Sequence, residues 1–137
     1  MKVSALNGSL AGVFLFGLGV ATAQLAQRAT DSPQRVEQKR TQLTGAPGME
    51  VIVSVAEYKP GDSLGLHTHH GVEAAYVVQG ARVRYAGKEP VTLSTGATVL
   101  NLRDGQHAGF TVVGDTSLKL FSVHIVDEGK PLYEFAP

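Results

Sequence analysis

The segment Gly61-Asp62-Ser63-Leu64-Gly65-Leu66-His67-Thr68-His69-His70-Gly71-Val72-Glu73-Ala74-Ala75-Tyr76-Val77-Val78-Gln79-Gly80 decides how this chain is read. His67 and His69 stand two residues apart, and side chains along a strand alternate faces, so both imidazoles point the same way. Glu73 rejoins that face if the chain turns at His70-Gly71 and continues as a strand to Gln79. Two imidazoles and a carboxylate on one face are costly to bury alone. A divalent cation that collects them removes much of that cost. His70 has the wrong parity and is expected at the surface or near the mouth of the fold.

The pattern of short strands and turns extends in both directions from this segment. Upstream, Glu50–Tyr58 carries Val51, Val53 and Val55 on one face, and Lys59-Pro60-Gly61-Asp62 ends it. Strands are then expected at Leu64–His69, Glu73–Gln79, Ala81–Tyr85, Val91–Leu93, Ala97–Leu102, His107–Val113, Leu118–Ile125 and Leu132–Phe135. Turn residues separate them at Gly71, Gly80, Ala86-Gly87-Lys88, Thr95-Gly96, Asp104-Gly105, Gly114-Asp115 and Asp127-Glu128-Gly129. About nine short strands with regular turn punctuation predict an all-β sandwich or barrel. Parity from Glu73 places Ala75 and Val77 inward and leaves Tyr76 to packing. Parity from His107 places Gly109 and Thr111 inward, which would leave room for a ligand above a metal.

The 137 residues make one domain's worth of chain, and 12 basic residues balance 12 acidic ones. No basic run or acidic tail points to nucleic acid or to an anionic membrane surface. Cysteine is absent, which excludes disulfides, thiolate ligands and a cysteine nucleophile, so any metal must be held by nitrogen and oxygen.

The N-terminus differs in character from the rest. Lys2, the apolar run Leu10–Val20 and the small-x-small triplet Ala21-Thr22-Ala23 read as a signal peptide, residues 1–23, cleaved after Ala23 by the general secretory route. The expected destination is periplasmic or secreted, with a membrane association only if the segment stays uncleaved. Residues 24–46 read as a polar tether, or as an edge strand or short helix around Val36–Leu43. Residues 47–137 form the β domain.

The motif Gly61, His67-Thr68-His69, Glu73, Gly80 resembles the first conserved motif of the cupin superfamily at each defining position. Gly96 suits the start of the second motif, and His107, eleven residues on, stands where that family places a third histidine. The second match departs from the pattern at Leu102, Asp104 and Thr111, where the family has proline, glycine and asparagine. Asp tolerates left-handed backbone angles, so Asp104 can still turn the chain. Gly129-Lys130-Pro131-Leu132 also looks like the start of the C-terminal strand in these proteins. The resemblance covers about residues 47–133 and is to small single-domain bacterial cupins of the quercetin dioxygenase-like kind.

The resemblance implies a conical β-barrel of two antiparallel sheets, the double-stranded β-helix or jelly roll. Inside it, one divalent transition metal ion would be held by His67, His69, Glu73 and His107. Iron or manganese comes first for such a site, and zinc, nickel, copper or cobalt is compatible; calcium and magnesium prefer all-oxygen shells. Glu73 would serve as proton acceptor, while His124, on a late strand, is expected to pack or hydrogen-bond. The leading functional reading is an exported metal-dependent, dioxygenase-like enzyme acting on a small organic substrate. Isomerisation or decarboxylation is the next reaction type. A non-catalytic cupin that binds a small ligand or sequesters metal is the alternative. A homodimer formed through the Val36–Leu43 segment is expected.

Overall fold

The structure, a computed structural model, describes residues 30–137; the expected signal peptide lies outside the described residues. Ten strands and no helix make up these residues: β1 (Arg35–Gln42), β2 (Met49–Tyr58), β3 (Ser63–Thr68), β4 (Gly71–Gln79), β5 (Ala81–Tyr85), β6 (Val91–Leu93), β7 (Thr98–Asn101), β8 (His107–Val113), β9 (Leu118–Asp127) and β10 (Glu134–Phe135). The polar segment ahead of Gly45 forms a strand, β1, which pairs antiparallel with β2 along its length.

Two five-stranded antiparallel sheets result, ordered β1-β2-β9-β4-β7 and β10-β3-β8-β5-β6. Their inner faces meet around Ile52, Tyr58, Val77, Val83, Val112 and Leu118, all nearly fully buried. Tyr58 and Phe110 meet edge to face at 5.5 Å within this core. The barrel thus has an apolar end, filled by these side chains, and a polar end toward His67, His69, Glu73 and His124, which are also buried.

The first sheet departs from the usual alternation of an antiparallel layer with one wet face: its inner side mixes core and polar residues, and its outer side is apolar. Its inner side carries the buried polar residues Glu50, Ser54, Glu73, Ser122 and His124. Its outer side carries Val51, Val53 and Val55 of β2, Phe121, Val123 and Ile125 of β9, and Val72, Ala74 and Tyr76 of β4, set beside one another by the strand register. The valines that mark β2 in the sequence therefore lie on the outer face.

Inward parity along β8 also differs from simple alternation. His107 faces the interior, yet Phe110 and Val112 are the buried residues beyond it, in place of Gly109 and Thr111. The cause is local: Ala108 and Gly109 have φ of 62° and 74°, and this left-handed pair restarts the alternation one residue late. The paired strand β3 makes the same adjustment, with Leu64 and His67 both buried and Leu66 exposed between them. The space expected beside Gly109 and Thr111 is therefore occupied by Phe110 and the core.

Candidate metal centre

Two cross-strand rows, one on each sheet, build the site. On the second sheet His67 of β3 is in register with His107 of β8, and Phe135 of β10 flanks His67 on the other side. On the first sheet Glu73 of β4 lies between His124 of β9 and Asn101 of β7. His69 follows β3 at the rim and leans between the rows. Asp104 turns the chain toward His107 with φ of 59°. Its N–H donates to the His69 carbonyl at 3.0 Å, tying the turn to the first motif.

The imidazoles are aimed by their backbone. Nδ1 of His67 lies 2.8 Å from the Gly65 carbonyl, Nδ1 of His69 2.5 Å from that of Leu132, and Nδ1 of His107 2.9 Å from that of Gly105. A carbonyl only accepts, so each Nδ1 carries the proton and each Nε2 presents its lone pair to the interior. There Nε2 of His69 and of His107 lie 3.1 Å apart, each 3.4 Å from Glu73 Oε2. His67 Nε2 is buried with no hydrogen-bond partner among the described residues. The sequence-predicted residues His67, His69, Glu73 and His107 are thus brought to one place.

His70 is not among them. It is partly exposed, with Nε2 3.0 Å from Glu134 Oε1 and Nδ1 3.8 Å from Asp104 Oδ1. Tyr76 is on the outer face of the first sheet, away from the site.

Two residues that sequence reasoning left out of the site also belong there. Asn101 Nδ2 donates to Glu73 Oε2 at 2.8 Å. His124 is fully buried, and its Nε2 lies 3.4 Å from Glu73 Oε1. Only strand pairing could have revealed either, since neither has a ligand-like neighbour in the sequence.

Electrostatics match this geometry. Burial holds His67 down to about 4, helped by the neighbouring His107 and His69 against the pull of its Gly65 hydrogen bond. Burial likewise holds His124 down to about 4. For Glu73, burial pushes the carboxyl up, but the facing imidazoles of His107, His69 and His124 and the donated amide hydrogen bond of Asn101 outweigh it. Glu73 is held well below the usual carboxylate range. An ionised carboxylate beside imidazoles that burial keeps neutral, as at His67 and His124, is the protonation state that a metal requires of its ligands.

The donors form two overlapping groups, His67–His69–His107 and His69–Glu73–His124, and within each group the candidate ligand atoms lie within 4.8 Å of one another. Nitrogen and carboxylate donors with an orphaned, fully buried His67 Nε2 fit a transition metal ion, and this buried group could hold one.

Tyr133 covers the cluster, with its ring centroid 4.4 Å from that of His67 and 4.9 Å from that of His69, and it stacks on Phe135 at 5.6 Å. Beyond this pair lies a cavity of ≈ 390 Å³ lined by Thr30, Pro131, Tyr133, Glu134, Phe135, Ala136 and Pro137. Burial pushes the Tyr133 hydroxyl well above its ordinary value, so it stays protonated.

Residues 54–124, more than half of the 137-residue chain, match the cupin domain family. The chain is a cupin. Solved structures share the fold at low identity. A protein from Klebsiella pneumoniae with a double-stranded β-helix domain has a TM-score of 0.53 and 15% identity, over 78% of this cupin and 88% of that chain. The polyketide cyclase RemF from Streptomyces resistomycificus has a TM-score of 0.52 and 17% identity, over 77% and 74%. The DMSP lyase DddQ from Ruegeria pomeroyi has a TM-score of 0.50 and 17% identity, over 63% of this cupin and 43% of the lyase. This cupin thus spans less than half the length of the lyase it resembles. A search of curated proteins finds no sequence match. At these identities the neighbours establish the fold and leave the reaction to be read from the site.

Proposed function

We propose that this cupin is an exported, metal-dependent enzyme acting on a small organic substrate, with one divalent transition metal held by His67, His69, Glu73 and His107. The observation that carries the reading is the tautomer lock: three backbone carbonyls each fix an Nδ1 proton, so the Nε2 lone pairs of His69 and His107 face the Glu73 carboxylate and that of His67 is buried beside them. Such an ion, when bound, supplies Lewis acidity toward a substrate oxygen or a site for dioxygen. Glu73 is ionised and is oriented from one side by Asn101, which suits it to accept a proton. The substrate approaches through the cavity of ≈ 390 Å³ beside Tyr133 and Phe135, the two rings that stand between it and the cluster. Oxidative cleavage is the leading reaction type, ahead of isomerisation and decarboxylation.

Elemental analysis of the purified chain, before and after reconstitution with iron, manganese or zinc, tests the metal reading. About one ion per chain supports it, and no retained ion under any condition overturns it. Oxygen uptake over flavonols, catechols and β-diketones, with His69→Ala as control, tests the reaction type. Uptake unaffected by that substitution would remove the proposed site from the chemistry.

The alternative, a cupin that holds metal or a ligand without turnover, draws support from burial. His67 and His69 are each only 1% exposed, beneath Tyr133 and the Leu132 carbonyl. Stoichiometric metal together with no turnover across the substrate panel would favour it.

Within the same proposal, a second copy of the chain covers the outer face of the first sheet. That face is apolar across β2, β9 and β4, the pattern of a sheet buried on both sides, and β1 extends it with Val36 opposite Val55.

A further inference from the structure

We infer that His124 is a fifth protein donor to the metal centre, completing a set of four imidazoles and one carboxylate. The inference rests on the metal reading above and extends it to a residue outside both sequence motifs.

The first reason is that His124 is 0% exposed and neither of its ring nitrogens has a hydrogen-bond partner among the described residues. A buried polar side chain is normally satisfied, and a neutral imidazole has both a donor and an acceptor to place. The second is its position. Register sets His124 directly opposite Glu73, and its ring meets that of His69 at 4.7 Å, edge to face. Its Nε2 lies 3.4 Å from Glu73 Oε1, matching the 3.4 Å from His69 Nε2 and His107 Nε2 to Glu73 Oε2. Both carboxylate oxygens are thus approached by imidazole nitrogen at the same separation. Unlike the other three histidines, which each give Nδ1–H to a backbone carbonyl, His124 has no such acceptor among the described residues. A metal ion taking one lone pair is the partner that this ring lacks.

The rival role is a positioning one, with His124 Nε2–H donating to Glu73 Oε1. At 3.4 Å this would be a long bond for a charged acceptor, whereas in either role Nδ1 has no partner among the described residues. A five-donor set also bears on the substrate. An octahedral ion would keep a single open position, so a substrate or small anion would reach it through one atom and not as a chelate.

Long-range proton–nitrogen correlation spectra of the imidazoles, recorded on the full chain before and after one equivalent of zinc, decide the point. His124→Gln assigns the His124 resonances and retains an amide donor for Glu73. Four histidines, His67, His69, His107 and His124, are expected each to move one ring-nitrogen resonance into the metal-bound range, with His70 unchanged. Movement of His67, His69 and His107 with His124 unmoved, or showing a protonated Nε2, would overturn the fifth donor and leave the metal reading intact. No movement of any of the four would overturn both.

Discussion

Asn101 Nδ2 donates to Glu73 Oε2 at 2.8 Å, across a strand pair in which the two residues stand directly opposite one another. The same carboxylate oxygen faces His69 and His107, so Asn101 fixes the oxygen that a bound cation would take. Asn101→Leu keeps the volume and removes the donor. Loss of such a supporting hydrogen bond lowers metal affinity by about 10–100-fold. Competition against a chromogenic zinc chelator should show a loss in that range, with the near-native circular dichroism of a folded barrel. Unchanged affinity would mean that Glu73 needs no orienting partner.

Metal-free protein should lose stability as the pH falls from about 7 to about 4. Burial holds His67 and His124 at about 4, below the ordinary value of 6.5. As pH drops through about 6.5 the unfolded chain takes up protons that the folded chain refuses, so unfolding is favoured down to about pH 4, where both states are protonated. Each histidine accounts for roughly 3 kcal/mol over that window if it acts independently. Glu73, depressed in the fold, adds a loss in the same direction below about 4.5. Urea midpoints in the presence of a chelator should therefore fall steadily across this range, and His124→Phe should flatten the profile. A midpoint independent of pH would show that these rings are not buried neutral.

How much of this centre was legible in the sequence depends on which dimension each residue needed. His67, His69 and Glu73 share one run of chain, so alternation and a turn at Gly71 sufficed to group them. His107 needed the spacing from Gly96 and the left-handed turn that Asp104 makes at φ 59°. Asn101 and His124 join the site only through the pairing of β4 with β7 and β9, a lateral relation that no local pattern encodes. The strands were legible because valine-rich runs alternate between turn residues. The inward side of β8 was not, because the left-handed pair Ala108-Gly109 breaks the alternation on which parity depends. Nor did the valines of β2 reveal their side, since apolar residues line both the core and the outer face of this sheet.

Gly71 opens β4 because no side chain fits there. A Cβ at Gly71 would stand 2.1 Å from the Ile125 carbonyl oxygen and 2.6 Å from Val126 Cα, both backbone atoms that cannot move aside singly. Gly71→Ala must therefore spread β4 from β9, the pair that holds Glu73 beside His124. A destabilisation of about 3 kcal/mol or more is expected, at the upper end for one added methyl. Thermal melting should show a drop of many degrees, and the folded fraction should bind zinc less tightly. Gly45→Ala, where nothing lies within 4 Å of the new Cβ but φ is +85°, should cost only backbone strain and serves as the comparison.

The outer face of the first sheet offers the sharpest test of self-association. Phe121 is 40% exposed and lies between Val55 of β2 and Tyr76 of β4, with no charged neighbour in its row. In a monomer, Phe121→Lys replaces an exposed ring by a solvated cation and should change stability by no more than about 0.5 kcal/mol. In a two-fold dimer built on this face the same substitution places a charge, and its symmetry mate, in a dry apolar layer. Sedimentation velocity should then show the parent chain as a dimer and Phe121→Lys as a monomer, with metal content per chain unchanged because the donors lie on the opposite face of the sheet. A parent chain that sediments as a monomer at all concentrations would leave the face without a second copy. A dimer untouched by the substitution would place the interface elsewhere, with β1 and its exposed Val36 the next surface to alter.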